Sequence, residues 1–307
     1  MPGHLDILIL KMLFIIHDLK ILKHYHNMKK EILDSFFNSY AKAVDKAAAV
    51  SVFWRLSDEI ITEIIKREIA PHCKDSSLTM DAGGGTGRWA IKLSGVLKGK
   101  LVVFDRSKDM LTKASENISK SNTSNRISIA EGDLTQIDEF ADNSIDNIVS
   151  IYSPLSFIYE QDKAAKELFR ILKSGGRILI MSHSYHNAIA SKINNYRADA
   201  EELQKLANEQ VVKWAPYVPE LITHSKESIE KLFADAGFHI HKTYGVPVFV
   251  QPGPEDFDPE NEKKSAISEY LENSDIYKSV FEIEMRFNAN ETVANRGMNM
   301  FMLAEKK

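Results

Sequence analysis

The chain has 307 residues, 44% of them apolar, and a formal net charge of −4. That length can bury one large core or two modest ones, and the acidic balance gives nucleic acid no electrostatic hold. One cysteine, Cys73, excludes an intrachain disulfide framework and any multi-cysteine metal site; it reads as a buried small hydrophobe in a reducing compartment.

The first apolar stretch, LDILILKMLFII at 5–16, carries Lys11 and is too short to span a bilayer. It also lacks the basic lead and small-residue cleavage site of a signal peptide. It reads either as a docked helix or as a leader upstream of a start at Met28, and a cytoplasmic protein with no membrane span is expected. Residues 29–69 predict two or three helices, with Ile60, Ile61, Ile64 and Ile65 on one face. Residues 1–77 are therefore expected to form an N-terminal extension and helical cap.

From 78 to 182, short β-branched runs alternate with helical patterns, the mark of βαβ units on a parallel sheet. The runs are LTMDA (78–82), KLVVFD (100–105), RISIAE (126–131), IDNIVSIY (145–152) and GRILIMS (176–182). Helices are predicted to begin near Gly87, Lys108, Gln136 and Tyr159. Residues 183–225 break the alternation with a long polar helical pattern, expected as an inserted lid. Residues 226–307 resume the sheet, with 252–298 as a substrate-region insertion and MNMFMLAEKK as the closing strand. Within that insertion SVFEIEMRF alternates like a strand, yet Tyr277, Val280, Phe281 and Met285 fit a helix, which leaves the faces of Glu282 and Glu284 open. The fold class predicted is α/β: a doubly wound, mostly parallel seven-stranded sheet with helices on both faces, a helical cap and a helical lid.

Ligands of such sheets lie outside the carboxyl ends of the strands. The loop after the first strand reads DAGGGTG, with Asp81, Gly83, Gly85 and Gly87 at alternate positions. A dinucleotide fingerprint counted from Gly83 wants glycine at 88 and meets Arg88, and no Gly-Lys-Ser/Thr follows for a phosphate loop. What remains is a turn against which a ligand can lie, with amides at a helix head able to meet a carboxylate. Asp105 ends the second strand, where a carboxylate accepts from both ribose hydroxyls. Asp133 follows the third, where it can accept from an adenine amine beside the apolar Leu134, or else cap a helix.

Taken together these residues resemble class I S-adenosylmethionine-dependent methyltransferases, over about Tyr40 to Ser182 and the closing strand. The resemblance rests on DAGGGTG, Asp105, Asp133, IDNIVSIYSPLSF and LFRILKSGGRILI, with SGG in place of the Pro-Gly-Gly of many relatives. It implies S-adenosylmethionine as donor and S-adenosylhomocysteine as product. It further implies that Gly83 and Gly85 line the methionine moiety, that Arg106 and Met110 flank adenine and ribose, and that Ser150, Ile151 and Tyr152 lie near the sulfonium. Asp81, Ala82 and Gly132 complete the cofactor set, and Tyr40 is similar to an N-terminal tyrosine that closes over the cofactor.

Methyl transfer from a sulfonium is an in-line displacement that positioning can largely drive, so no fixed triad is expected. Base candidates are Tyr152 and His183, with Tyr185 and His186 in the same SHSYHN stretch; the histidine pair has no third clustered ligand, and no metal is expected. Trp54 and Arg55 are further candidates for contact with cofactor or substrate. The expected activity is N- or O-methylation of a small molecule or natural product. The alternatives are a peptide or protein N-methyltransferase and a non-catalytic module that binds S-adenosylmethionine. A carboxylate among Glu255, Asp256, Asp258, Glu282 and Glu284 that reached the cavity would select a cationic acceptor.

Overall fold

The computed structural model describes residues 31–38, 41, 45, 49, 51–215, 218–257 and 264–307. Tyr40, Asp258, Met28 and the apolar stretch 5–16 lie outside the described residues.

Seven strands make one sheet: β1 (Leu78–Ala82), β2 (Lys100–Asp105), β3 (Ile127–Glu131), β4 (Ile145–Ser150), β5 (Leu172–His183), β8 (His239–Val246) and β9 (Asn299–Glu305). Their order is β3-β2-β1-β4-β5-β9-β8. β1 to β5 pair in parallel, while β9 runs antiparallel to both β5 and β8. The order reverses between β1 and β4, which opens a crevice above the carboxyl ends of those two strands.

Because strand side chains alternate, each inner strand supplies two cores. Leu101 and Val103 pack with Ile60, Ile61 and Ile64 of α1 (Val52–Glu68), Trp89 of α2 (Arg88–Ser94) and Ala114 of α3 (Lys108–Ser119). Val102 and Phe104 pack on the other face with Leu168 of α4 (Gln161–Ile171) and Phe233 of α7 (Lys226–Asp235). Strands buried on both faces read as continuous apolar runs, which is what KLVVF and RILIM are. α3 starts at Lys108 as predicted, with the Ser107 hydroxyl accepting from Met110 N.

One predicted element differs. No helix begins near Gln136, because Asp133 closes a turn on Thr135 N and Thr135 Oγ1 through one carboxylate oxygen. The backbone beyond it is satisfied by side chains of α4: Glu167 accepts from Ile137 N, and Arg170 donates to Ile137 O and Phe140 O. Asp133 is thus not a helix cap. SVFEIEMRF, whose period the sequence leaves open, lies wholly in the helix α9 (Ser274–Phe287).

The stretch 183–225 contains α5 (Tyr185–Ser191), a π-helical turn at Lys192–Tyr196, α6 (Ala200–Glu209) and an unpredicted ribbon of β6 (Val211–Val212) with β7 (Leu221–Ile222). No helix among the described residues is long and apolar enough to cross a membrane.

Candidate active site

The turn after β1 has φ of +70° at Gly83, +52° at Gly85 and +73° at Gly87. At Gly83 a side chain is excluded twice, by that backbone and because a Cβ would sit 2.4 Å from Pro154 Cβ. Gly83 N and Gly84 N both donate to Phe104 O at the end of β2, at 2.8 and 3.2 Å. Asp105, one residue on, accepts from Gly85 N and Ser107 N, 2.9 Å each. One carboxylate therefore ties the glycine turn to the head of α3. Burial raises the Asp105 pKa, and these two amides oppose the shift. Asp81 is 1% exposed, and its Oδ2 has no hydrogen-bond partner. Burial, and then the Asp105 charge, push its carboxyl up to about 7. A cradle that excludes a Cβ, next to an unbonded buried acid oxygen, suits a ligand that carries positive charge.

The helical stretch 31–38, and Asp45 after it, are fastened to the same loops. Asp34 pairs with Arg106 at 2.9 Å, Ser107 Oγ donates to Asn38 Oδ1 at 2.6 Å, and Thr86 Oγ1 donates to Asp45 Oδ1 at 2.7 Å.

These loops and the segments around them enclose a cavity of about 790 Å³. Of the sequence-predicted residues, Gly83, Gly85, Asp105, Arg106, Met110, Gly132, Asp133, Leu134, Ile151, Tyr152 and His183 line it. Asp81, Ala82 and Ser150 are buried behind the wall. Tyr185 and His186 face away, toward Ala207 O and Asn295, and Arg55 lies over the Tyr277 ring, while Trp54 is in the lining.

Tyr152, with φ of +61°, donates its phenol hydrogen to Asp58 Oδ1. Asp58 is also held by Arg88 at 2.6 Å and Lys92 at 3.1 Å. Burial first, and then the Asp58 charge, drive the phenol pKa well above its ordinary value. As a proton acceptor Tyr152 is therefore corrected: the phenol stays a donor. The sequence reasoning missed Asp58, whose signal was its place one helical turn after Trp54.

Beyond Tyr152 the wall is aromatic. Trp54 meets the Tyr152 ring edge-on at 4.8 Å, Phe157 meets Phe37 at 4.9 Å, and Trp214 and Tyr196 lie 5.4 Å apart. The Lys192 ammonium sits over both of the last two rings, at 5.6 and 5.1 Å, and holds them together. Trp214 and Tyr196 were missed as well; both come from the inserted stretch 183–225.

The acids expected to select a cation are elsewhere. Glu284 is fully buried on α9 and accepts from Val248 N, Phe249 N and Val250 N at 2.6, 2.8 and 2.8 Å; Glu282 is exposed. Burial raises the Glu284 pKa against those three amides. Asp256 accepts from Ser51 Oγ, Ser268 Oγ and Gly253 N, which pins its loop to the start of α1. None of these acids, nor Glu255, lines the cavity. Among the described residues no group of three or more His, Cys, Asp or Glu side chains could hold a metal.

The sequence matches the family described as Methyltransferase domain over residues 74–244, more than half of the chain. The chain belongs to the S-adenosylmethionine-dependent class I methyltransferases. This methyltransferase is 27% identical over 183 residues to the ubiquinone/menaquinone biosynthesis C-methyltransferase UbiE of Vibrio parahaemolyticus, covering 54% of this chain and 66% of that one. It is 35% identical over 103 residues to the demethylmenaquinone methyltransferase of Bacteroides fragilis, covering 33% of this chain and 41% of that one. The alignments thus span less than two thirds of these relatives' own lengths. In fold it is similar to a chain of the Haloferax volcanii complex between the Trm112 methyltransferase activator and a methyltransferase, with TM-score 0.55, 14% identity, and 88% and 97% of the two chains covered.

Proposed function

We propose that this methyltransferase transfers the methyl group of S-adenosylmethionine to a small, neutral hydroxylated aromatic acceptor. When bound, the cofactor supplies an electrophilic methyl on a sulfonium. Gly83 and Gly85 take its methionine part, with Asp81 beneath as counter-charge; Asp105 takes the ribose hydroxyls. Arg106, Met110, Gly132, Asp133 and Leu134 flank the adenine, and Ile151 and Tyr152 border the methyl. Residues 78–182 hold the cofactor in this reading, and 183–225 roof the acceptor.

The observation that carries it is the cavity's two-part lining: strand-end acids and glycines at one end, large rings at the other. A planar apolar acceptor buries its area against such rings. The carboxylates of the lining, Asp45, Asp105, Asp133 and Glu160, are each already bonded, to Thr86, Gly85, Thr135 and Lys163 respectively. With Glu282 and Glu284 outside the cavity, the reason to expect a cationic acceptor is gone. The name of the Vibrio parahaemolyticus relative, a C-methyltransferase of ubiquinone/menaquinone biosynthesis, supports carbon rather than nitrogen as the methylated atom.

Two measurements test this: calorimetric titration with S-adenosylhomocysteine, then a transfer screen with labelled S-adenosylmethionine over phenols, naphthols, amines and peptides. Transfer to phenols or naphthols is expected. Transfer confined to amines or peptides refutes the acceptor class and leaves the cofactor reading intact.

A further inference from the structure

The structure holds two uncharged histidines with different surroundings, His224 buried and His183 half-buried at the cavity wall, and the difference assigns a task to one of them. His224 uses both ring nitrogens: Nδ1 meets Ser182 Oγ at 2.6 Å and Nε2 meets Gln161 Oε1 at 3.0 Å. His183 uses neither. Its backbone is fixed, with N donating to Ser156 Oγ at 2.9 Å, O accepting from His224 N at 2.8 Å, and Asn299 opposite it on β9. Its ring lines the cavity, tilted against Trp214 at 6.3 Å, and among the described residues no hydrogen bond reaches either imidazole nitrogen. Desolvation pushes both rings down to about 4, so each is an uncharged imidazole at neutral pH; an anionic acceptor oxygen formed against His183 supplies the opposite charge that favours its protonated form.

Position along the sheet edge gives the second line of support. Passing from β2 to β1, β4 and β5, the cavity presents Asp105, then Gly83, then Tyr152, then His183. Neighbouring strands are about 4.8 Å apart, so His183 stands about two strand spacings from the glycine turn. That leaves room for one planar ring between them. Two other ionisable groups of the lining are committed, Tyr152 as donor to Asp58 and Glu160 to Lys163.

We infer that His183 is the general base that takes the hydroxyl proton of the acceptor, an inference that rests on the acceptor class proposed above. The acceptor's O–H bond breaks, its proton passes to a ring nitrogen of His183, and its electron pair moves into the aromatic ring. A ring carbon then bonds to the methyl while the pair of the S–CH3 bond returns to sulfur. As that carbon loses its hydrogen to solvent, the imidazolium returns its proton to the oxygen. The fixed backbone keeps the imidazole in place, and the Trp214 face keeps water from the pair.

The test is the pair His183→Gln and His183→Asn, read by calorimetry, by kcat over phenols of graded acidity, and by pH profile. S-adenosylhomocysteine affinity should stay unchanged, and kcat should fall by about 10²–10⁴-fold. The loss should shrink for more acidic phenols and as pH rises toward the acceptor's own pKa, since an ionised acceptor needs no base. In the intact protein, adding a phenol to the S-adenosylhomocysteine complex should shift the ring-nitrogen resonances of His183. That measurement decides the matter if both variants fail to fold. Unchanged kcat, an equal loss for weak and strong phenols, or an unshifted histidine overturns the base while the acceptor class stands. An intact protein that binds S-adenosylhomocysteine yet methylates no hydroxylated aromatic overturns both.

Discussion

At the β1–β2–β3 end of the cavity the inward groups are backbone amides, glycines and short acids tied to their own loops, as Asp105 is to Gly85 and Ser107. At the β4–β5 end they are rings drawn from distant parts of the chain: Trp54 from α1, Phe157 from the loop after β4, Tyr196 and Trp214 from the inserted stretch. The first end is preorganised by local geometry, and the second by packing between segments. Substitutions should therefore separate the two: damage at one end shows in cofactor affinity, and at the other in acceptor kinetics.

The largest expected effect is at Glu284. Glu284→Ala strips the acceptor from three amides at 248–250, next to the cavity residues Gln251 and Pro252. At about 1–3 kcal/mol for each stranded buried donor, stability should fall by at least about 3 kcal/mol in urea unfolding. At a temperature where the variant stays folded, KM for the acceptor should rise while S-adenosylhomocysteine affinity holds. A drop in that affinity would mean that the two ends are not separable.

His224 probes the floor of the acceptor end by pH. Its folded pKa of about 4 lies below the ordinary 6.5, so the unfolded chain binds the proton more readily. The stability it contributes is present above pH 6.5 and is lost as pH falls toward 4, by up to about 3 kcal/mol. His224→Gln has nothing to titrate there. The stability gap between wild type and variant should narrow across that window, with other groups cancelling in the difference. A gap constant with pH would place the histidine outside the buried network.

The smallest effect is the cleanest. Asp105→Ala should weaken S-adenosylhomocysteine binding by about 1–3 kcal/mol, roughly ten- to a hundredfold by calorimetry. Unfolding measurements on the cofactor-free variant should find the fold retained. Unchanged affinity would move the nucleoside elsewhere.

How much of this the sequence discloses follows the same division. Gly83 and Asp105 are legible because the turn needs positive φ and an acceptor within a few residues, constraints that spacing records. Trp214 and Tyr196 act only through segments that meet after folding, so no local pattern marks them; Asp58 is marked only by its place one helical turn after Trp54, and its partners Tyr152, Arg88 and Lys92 lie elsewhere in the sequence. SVFEIEMRF was ambiguous because nine residues fit both periods, and the amides that claim Glu284 belong to another segment. Gln136 looked helical because its neighbours are helix formers, yet Glu167 and Arg170, thirty residues on, satisfy the loop backbone instead.

β9 has a consequence for how the chain reaches its fold. It lies between β5 and β8, yet it follows both in the sequence by more than fifty residues. As the polypeptide is synthesised, β5 and β8 have no direct partner in each other, and each presents an open edge until 299–305 emerges. Pairings of such long sequence separation form slowly, and open edges invite association with other chains in the meantime. Completion of the sheet therefore waits for one late strand, and crowding of nascent chains should compete with it.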